Sequence, residues 1–99
     1  MRLTPSQIDL IRSTAQLLLG AHAQVTLFGS RVDDHRKGGD VDLMVEVPNP
    51  IEDPAVLSAR LASRVSRAMQ GRKVDVVLKA PNLLVQPIHQ IASQTGVVL

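Results

Sequence analysis

The chain has 99 residues, 44% of them hydrophobic, a net charge of +2 and no cysteine. This length suits one small domain with a modest core, so we expect residues 1–99 to form a single domain. The absence of cysteine excludes a disulfide scaffold and a zinc–thiolate site. Only one residue, Phe28, is aromatic. Direct nucleic-acid binding is therefore disfavoured, because proteins that grip single strands stack the bases on aromatic rings.

The N-terminal segment lacks the apolar stretch of a signal peptide. No apolar run approaches the roughly 20 residues that a membrane span needs. We therefore expect a soluble, cytoplasmic protein that makes no membrane contact.

The first half of the chain predicts a helix followed by two strands. Thr4, Pro5 and Gln7 form the start signal of a helix: an N-cap, a proline at the first helical position, and the closing residue of a capping box. Apolar residues then recur at helical spacing up to about Gly20. A short strand is predicted over 24–28, a charged loop over 31–39, and a second, valine-rich strand over 40–47.

The second half predicts a helix, a strand, a helix and a final strand. Asp53 is the expected N-cap of the first of these helices, which runs to about Gln70, with Gly71 as its C-cap. A strand follows over 73–78, then a helix that begins between 82 and 87 and ends near 94, then a strand over 97–99. This order predicts an α+β two-layer fold, a small mixed β-sheet with helices packed on one face. His89 is expected on a helix surface.

Acidic residues interrupt two of the predicted strands. Asp40 and Asp42 are two residues apart, so both carboxylates point to the same face of their strand. Asp75 lies inside the later strand, and all three carboxylates meet if the two strands are neighbours. Three hard oxygen ligands favour Mg²⁺ or Mn²⁺ over zinc, and two such ions can clamp an in-line displacement. Structural alternatives stay open: Asp40 capping a loop, Asp42 pairing with an arginine, and Asp75 pairing with Arg72 or Lys73.

A Gly-Ser turn precedes the paired aspartates. Gly29 allows the backbone to approach a phosphate closely, and Ser30 can cap the following helical turn and offer its hydroxyl and amide. Arg31 is positioned to contact the same triphosphate. Metal-binding carboxylates beside a phosphate-binding turn indicate nucleotide transfer.

The sequence Leu27-Phe28-Gly29-Ser30, followed nine residues later by Asp40-Val41-Asp42-Leu43, resembles the signature of the nucleotidyltransferase superfamily related to DNA polymerase beta. The short chain resembles the minimal nucleotidyltransferases, often written MNT. The resemblance implies that Gly29 and Ser30 hold the nucleotide phosphates. It also implies that Asp40 and Asp42 bind two Mg²⁺ ions, and that Asp75 completes the catalytic and metal site and helps to activate the acceptor hydroxyl.

The resemblance further implies the substrates and the partner. The expected reaction moves AMP from ATP to a hydroxyl, and the acceptor is a tyrosine of a small helical HEPN toxin, for which this chain is the antitoxin. Two alternatives are a binding module that neutralises its partner by contact alone, and a transferase for a small molecule such as an aminoglycoside. Homo-oligomerisation and the role of the exposed stripe of Arg60, Arg64 and Arg67 are left open by the sequence.

Overall fold

Three helices and four strands make up the part of the chain that the computed structural model describes, residues 3–29 and 41–99. The helices are α1 (Pro5–Leu19), α2 (Pro54–Ala68) and α3 (Pro87–Thr95), and the strands are β1 (Gln24–Phe28), β2 (Val41–Glu46), β3 (Val74–Lys79) and β4 (Val97–Val98). This is the order of elements that the sequence predicts. None of these helices is long and apolar enough to cross a membrane.

The ends of the helices test the predicted capping residues. In α1 the capping box is confirmed: the Gln7 N–H donates to Thr4 Oγ1 at 3.1 Å, and the Thr4 N–H donates to Gln7 Oε1 at 2.8 Å. Asp53 does precede α2, but its side chain forms no capping hydrogen bond. Gly71 was the wrong C-cap, because α2 ends two residues earlier, at the C-cap Met69. The Gly71 N–H instead closes the following turn on the Ser66 carbonyl at 2.8 Å.

The four strands form one mixed sheet in the order β3-β2-β1-β4. β1 runs antiparallel to β2 and to β4, whereas β2 and β3 are parallel. A parallel pair needs a crossover connection, and α2 supplies it between β2 and β3. The sheet therefore brings the strands of Asp42 and Asp75 side by side, which the predicted carboxylate site requires.

The sheet has a different hydrophobic cluster on each face. The larger cluster includes Leu43 of β2, Ile11 of α1 and Leu61 of α2, while the smaller one joins Met44 of β2 to Ala92 of α3. Because successive side chains of a strand point to opposite faces, α1 and α2 lie on one face and α3 on the other. The expected fold class is confirmed, and single-face packing holds for α1 and α2 but not for α3.

His89 is buried, with 4% of its surface exposed, so its predicted surface position was wrong. Its Nδ1 accepts a hydrogen bond from the Gln86 N–H at 2.9 Å, and its Nε2 lies 2.9 Å from the Leu78 carbonyl oxygen. Since Nδ1 is the acceptor, Nε2 carries the proton and donates it to that carbonyl. The side chain therefore ties the start of α3 to β3.

Candidate functional site

The parallel pairing of β2 and β3 sets Asp42 directly beside Asp75. Paired residues of neighbouring strands point to the same face, and such strands lie about 4.8 Å apart, so the two carboxylates can reach a common cation. The residues that flank them, among them Leu43 and Val74, face the opposite way and belong to the larger hydrophobic cluster. Asp42 is half-buried and Asp75 is exposed.

Gly29 lies against the Asp42 carboxylate. β1 pairs with β2 so that Phe28 is opposite Asp42, and Gly29 follows with φ of +74°. A Cβ atom placed on Gly29 would overlap Asp42 Oδ2 and would lie 3.1 Å from Asp42 Cγ. Glycine is therefore required at this position for two reasons: the positive φ, and the space that the Asp42 carboxylate occupies. Three of the six predicted site residues, Gly29, Asp42 and Asp75, are adjacent in the fold.

The other three predicted site residues, Ser30, Arg31 and Asp40, lie outside the described residues, so their roles stay predictions. Within residues 3–29 and 41–99, no group of three or more histidine, aspartate or glutamate side chains forms a candidate metal centre. The described part of the predicted site is thus a pair of carboxylates rather than a triad.

The charges along β2 and β3 differ between the two ends of the pair. At one end Glu46 is in register with Lys79, and their side chains form an ion pair of 3.8 Å. At the other end two carboxylates, Asp42 and Asp75, are in register. Like charges directly opposite each other destabilise a sheet, whereas a cation between them removes the repulsion. The oxygen atoms of this carboxylate pair fit Mg²⁺ or Mn²⁺, and no imidazole joins the pair within residues 3–29 and 41–99.

One structural alternative for Asp75 is present in a weak form. Lys73 Nζ lies 4.0 Å from Asp75 Oδ2, and the two side chains are 68% and 52% exposed. An ion pair this long and this exposed contributes little to stability, because water screens both charges. The Asp75 carboxylate therefore remains accessible to a ligand.

The apolar surroundings of the carboxylate pair were not predicted from the sequence. Met44 and Val77 follow Asp42 and Asp75 on the same face of the sheet, and they pack with Phe28 against Ile88 and Ala92 of α3. The available signal was the alternation itself, because each aspartate is two residues before an apolar residue on its own face. Phe28, the one residue among phenylalanine, tryptophan and tyrosine in the chain, is 5% exposed and packs in this cluster. It is not available to stack on a nucleotide base.

The fold is that of a domain for nucleotidyl transfer. The family model described as "Nucleotidyltransferase domain" matches residues 8–95, and the chain belongs to this family. It is therefore a transferase by family. The comparison with curated proteins found no match to the chain.

Several solved structures share the fold. A crystal structure from Shewanella oneidensis is similar with a TM-score of 0.67 at 16% identity, over 98% of this chain and 71% of that one. A toxin-antitoxin structure with AMP-PNP gives a TM-score of 0.69 at 17% identity, over 97% and 72%. A structure of a tri-AMPylated Shewanella oneidensis HEPN toxin with its MNT antitoxin gives 0.56 at 19% identity, over 91% and 69%. At these identities the likeness is one of fold.

Proposed function

We propose that this chain transfers AMP from ATP to a tyrosine hydroxyl of a small helical HEPN partner and thereby acts as the antitoxin of a toxin-antitoxin pair. The observation that carries the proposal is the register of Asp42 with Asp75 beside Gly29. Membership of the nucleotidyltransferase domain family supports the reaction class. The partner is suggested by the similar structures, one with AMP-PNP and one of an AMPylated HEPN toxin with its MNT antitoxin.

In this proposal each residue of the site has a distinct task. Asp40, Asp42 and Asp75 hold divalent cations, which, when bound, neutralise the phosphate charges and favour ionisation of the acceptor hydroxyl. Gly29 lets the backbone approach the phosphates, with Ser30 and Arg31 following it. The acceptor oxygen attacks the α-phosphorus, the bond from the α-phosphorus to the bridging oxygen breaks, and pyrophosphate leaves. Asp75, the accessible carboxylate, takes the proton of the hydroxyl.

The test is to mix the purified chain with ATP, Mg²⁺ and an HEPN-type partner and to follow the partner by intact-mass spectrometry. We expect one or more AMP additions to the partner, loss of the additions with EDTA, and recovery with Mg²⁺ or Mn²⁺. Asp42→Asn and Asp75→Asn should each lower the rate at least about 100-fold, since several kcal/mol of transition-state stabilisation are lost. An unmodified partner with a folded wild-type chain would refute transfer to it.

A matched control uses the same strand and the same face. Glu46→Gln also removes one carboxylate from β2, but at the end where Glu46 pairs with Lys79, so it should leave transfer unchanged. Protection of cells from the toxin separates catalysis from neutralisation by contact. The double variant Asp40→Asn/Asp42→Asn should fail to protect, whereas an antitoxin that acts by contact alone would still protect.

A further inference from the structure

α2 presents a basic face on the outside of the molecule. Arg60, Arg64 and Arg67 are exposed and are spaced at i, i+4 and i+7, so they lie on one side of the helix over about 10 Å. The helix Pro54–Ala68 contains no acidic residue that could neutralise them. Three like charges on successive turns repel one another, which weakens the isolated helix.

The charges of this face have no acidic partner in the described part of the chain. Across the ranges 3–29 and 41–99, none of the three guanidinium groups forms an ion pair or a hydrogen bond, whereas Lys73 and Lys79 each pair with a carboxylate. An arginine fork that is repeated along a helix and left without a carboxylate is suited to charged groups of another molecule.

An apolar cavity continues the same side of α2 toward its N-terminus. Its volume is about 390 Å³, and Leu18, Leu19, Val56, Leu57 and Arg60 are among the residues that line it. Val56 is four residues before Arg60, so the two side chains lie on the same side of the helix, and Val56 is 48% exposed. The surface therefore offers an apolar recess followed by three positive charges.

This surface is on the opposite side of the sheet from the candidate site. Leu61 of α2 packs in the larger hydrophobic cluster with Leu43, whereas Asp42 points to the face that α3 covers. A molecule bound along α2 would leave the carboxylate pair open to nucleotide.

We propose that the basic face of α2 and the adjoining cavity dock an acidic amphipathic helix of the protein partner. An apolar side chain of that helix fills the cavity, and carboxylates on its following turns pair with Arg60, Arg64 and Arg67. This inference rests on the proposed function, in which the partner is a helical protein, and it names the surface that the partner uses. Charge complementarity carries it, because three exposed positive charges on one side of a helix attract an anionic surface.

Nucleic acid fits the same surface less well. Glu52 and Asp53 border the cavity and repel a continuous phosphate backbone, whereas a helix can place an apolar side chain at the cavity and keep its carboxylates beside the arginines. The chain has no tryptophan or tyrosine, and its single phenylalanine, Phe28, is buried in the sheet and cannot stack on a base.

The experiment measures the affinity of the full chain for the HEPN-type partner by titration calorimetry, in 50 mM and in 300 mM salt. The triple variant Arg60→Glu/Arg64→Glu/Arg67→Glu should bind at least about 30-fold more weakly, at roughly threefold for each exposed ion pair. The matched control Arg60→Lys/Arg64→Lys/Arg67→Lys keeps the charge but loses the fork, so its affinity should lie between those of the wild type and the glutamate variant. Wild-type affinity should fall with salt much more than that of the glutamate variant. ATP binding should be the same in all three proteins.

The outcomes separate this inference from the proposed function. Equal affinity of the glutamate variant and the wild type, or no binding of the partner by the wild type, overturns the docking surface. A gel shift of a 20-nucleotide RNA that the glutamate variant loses, with partner binding retained, overturns it in favour of nucleic acid. If the complex forms through α2 but the partner gains no AMP, the docking surface stands and the transferase proposal fails.

Discussion

Gly29 provides the sharpest test of the site, because one methyl group added there acts in two separable ways. Gly29→Ala places a side chain at a φ of +74°, and the new Cβ overlaps Asp42 Oδ2. The left-handed conformation costs about 1–2 kcal/mol for a residue with a Cβ. The overlap has a different consequence. The carboxylate must move by about 1 Å to restore ordinary contact with a carbon atom, and a displacement of that size in a catalytic site lowers rates about 100-fold.

Gly71 supplies the matched control. It also has a positive φ, +81°, but a Cβ there meets nothing within 4 Å. Both Gly29→Ala and Gly71→Ala should therefore lose about 1–2 kcal/mol in urea-induced unfolding. Only Gly29→Ala should lose AMP transfer and Mn²⁺ affinity. Two results would contradict the proposed role of the Asp42 carboxylate. One is a Gly29→Ala variant that retains transfer within about twofold of wild type, and the other is a Gly71→Ala variant that loses as much transfer activity as Gly29→Ala.

The remaining predictions concern the core, the buried histidine and the charge beside Asp75. Leu61→Ala removes a fully buried side chain and should lower the free energy of urea-induced unfolding by about 3 kcal/mol. Leu17→Ala, at a position that is 73% exposed, should change it by less than about 0.5 kcal/mol, and equal losses would contradict the core assignment. His89→Ala removes both hydrogen bonds of a buried ring and should cost about 3 kcal/mol by the same measurement, against under about 0.5 for the exposed His22→Ala. A stability loss for His89→Ala no larger than for His22→Ala would show that the ring does not tie α3 to β3. Lys73→Gln removes an exposed 4.0 Å ion pair and should change stability by less than about 0.5 kcal/mol and transfer by less than about twofold; a large loss of transfer would make the lysine part of the site.

The elements of the fold could be predicted from the sequence because their signals are local. A capping box at Thr4, a proline at the start of each helix, and alternation in the strands each specify structure within a few residues. The C-terminus of α2 was less predictable. Gln70 and Gly71 both have positive φ. Because glycine is the usual residue in this conformation after a helix, the sequence indicates Gly71 as the C-cap although the helix ends earlier.

The neighbours of an element could not be predicted in the same way. The alternation in β2 shows that Asp42 and Leu43 face opposite sides, but it does not say which helix covers each side. The placement of α3 on the aspartate face follows from Phe28, Met44 and Ala92 packing together, residues far apart in the sequence. The burial of His89 could not be predicted for the same reason, because its hydrogen-bond partner, the Leu78 carbonyl, belongs to another element. Half of the predicted site can be placed, and its key feature, the register of Asp42 with Asp75, is likewise a long-range property.

The two ends of the β2–β3 pair carry different charge combinations, and the difference supports the proposed role of Asp42 and Asp75. The same two strands place Glu46 opposite Lys79, an attractive pair, and Asp42 opposite Asp75, a repulsive one. A lysine in place of Asp75 would convert the second pair into a copy of the first, so the repulsion is not imposed by the fold. Like charges in register repel each other, and a glycine with positive φ lies against one of them. A divalent cation held between the two carboxylates, as we propose, would remove that repulsion.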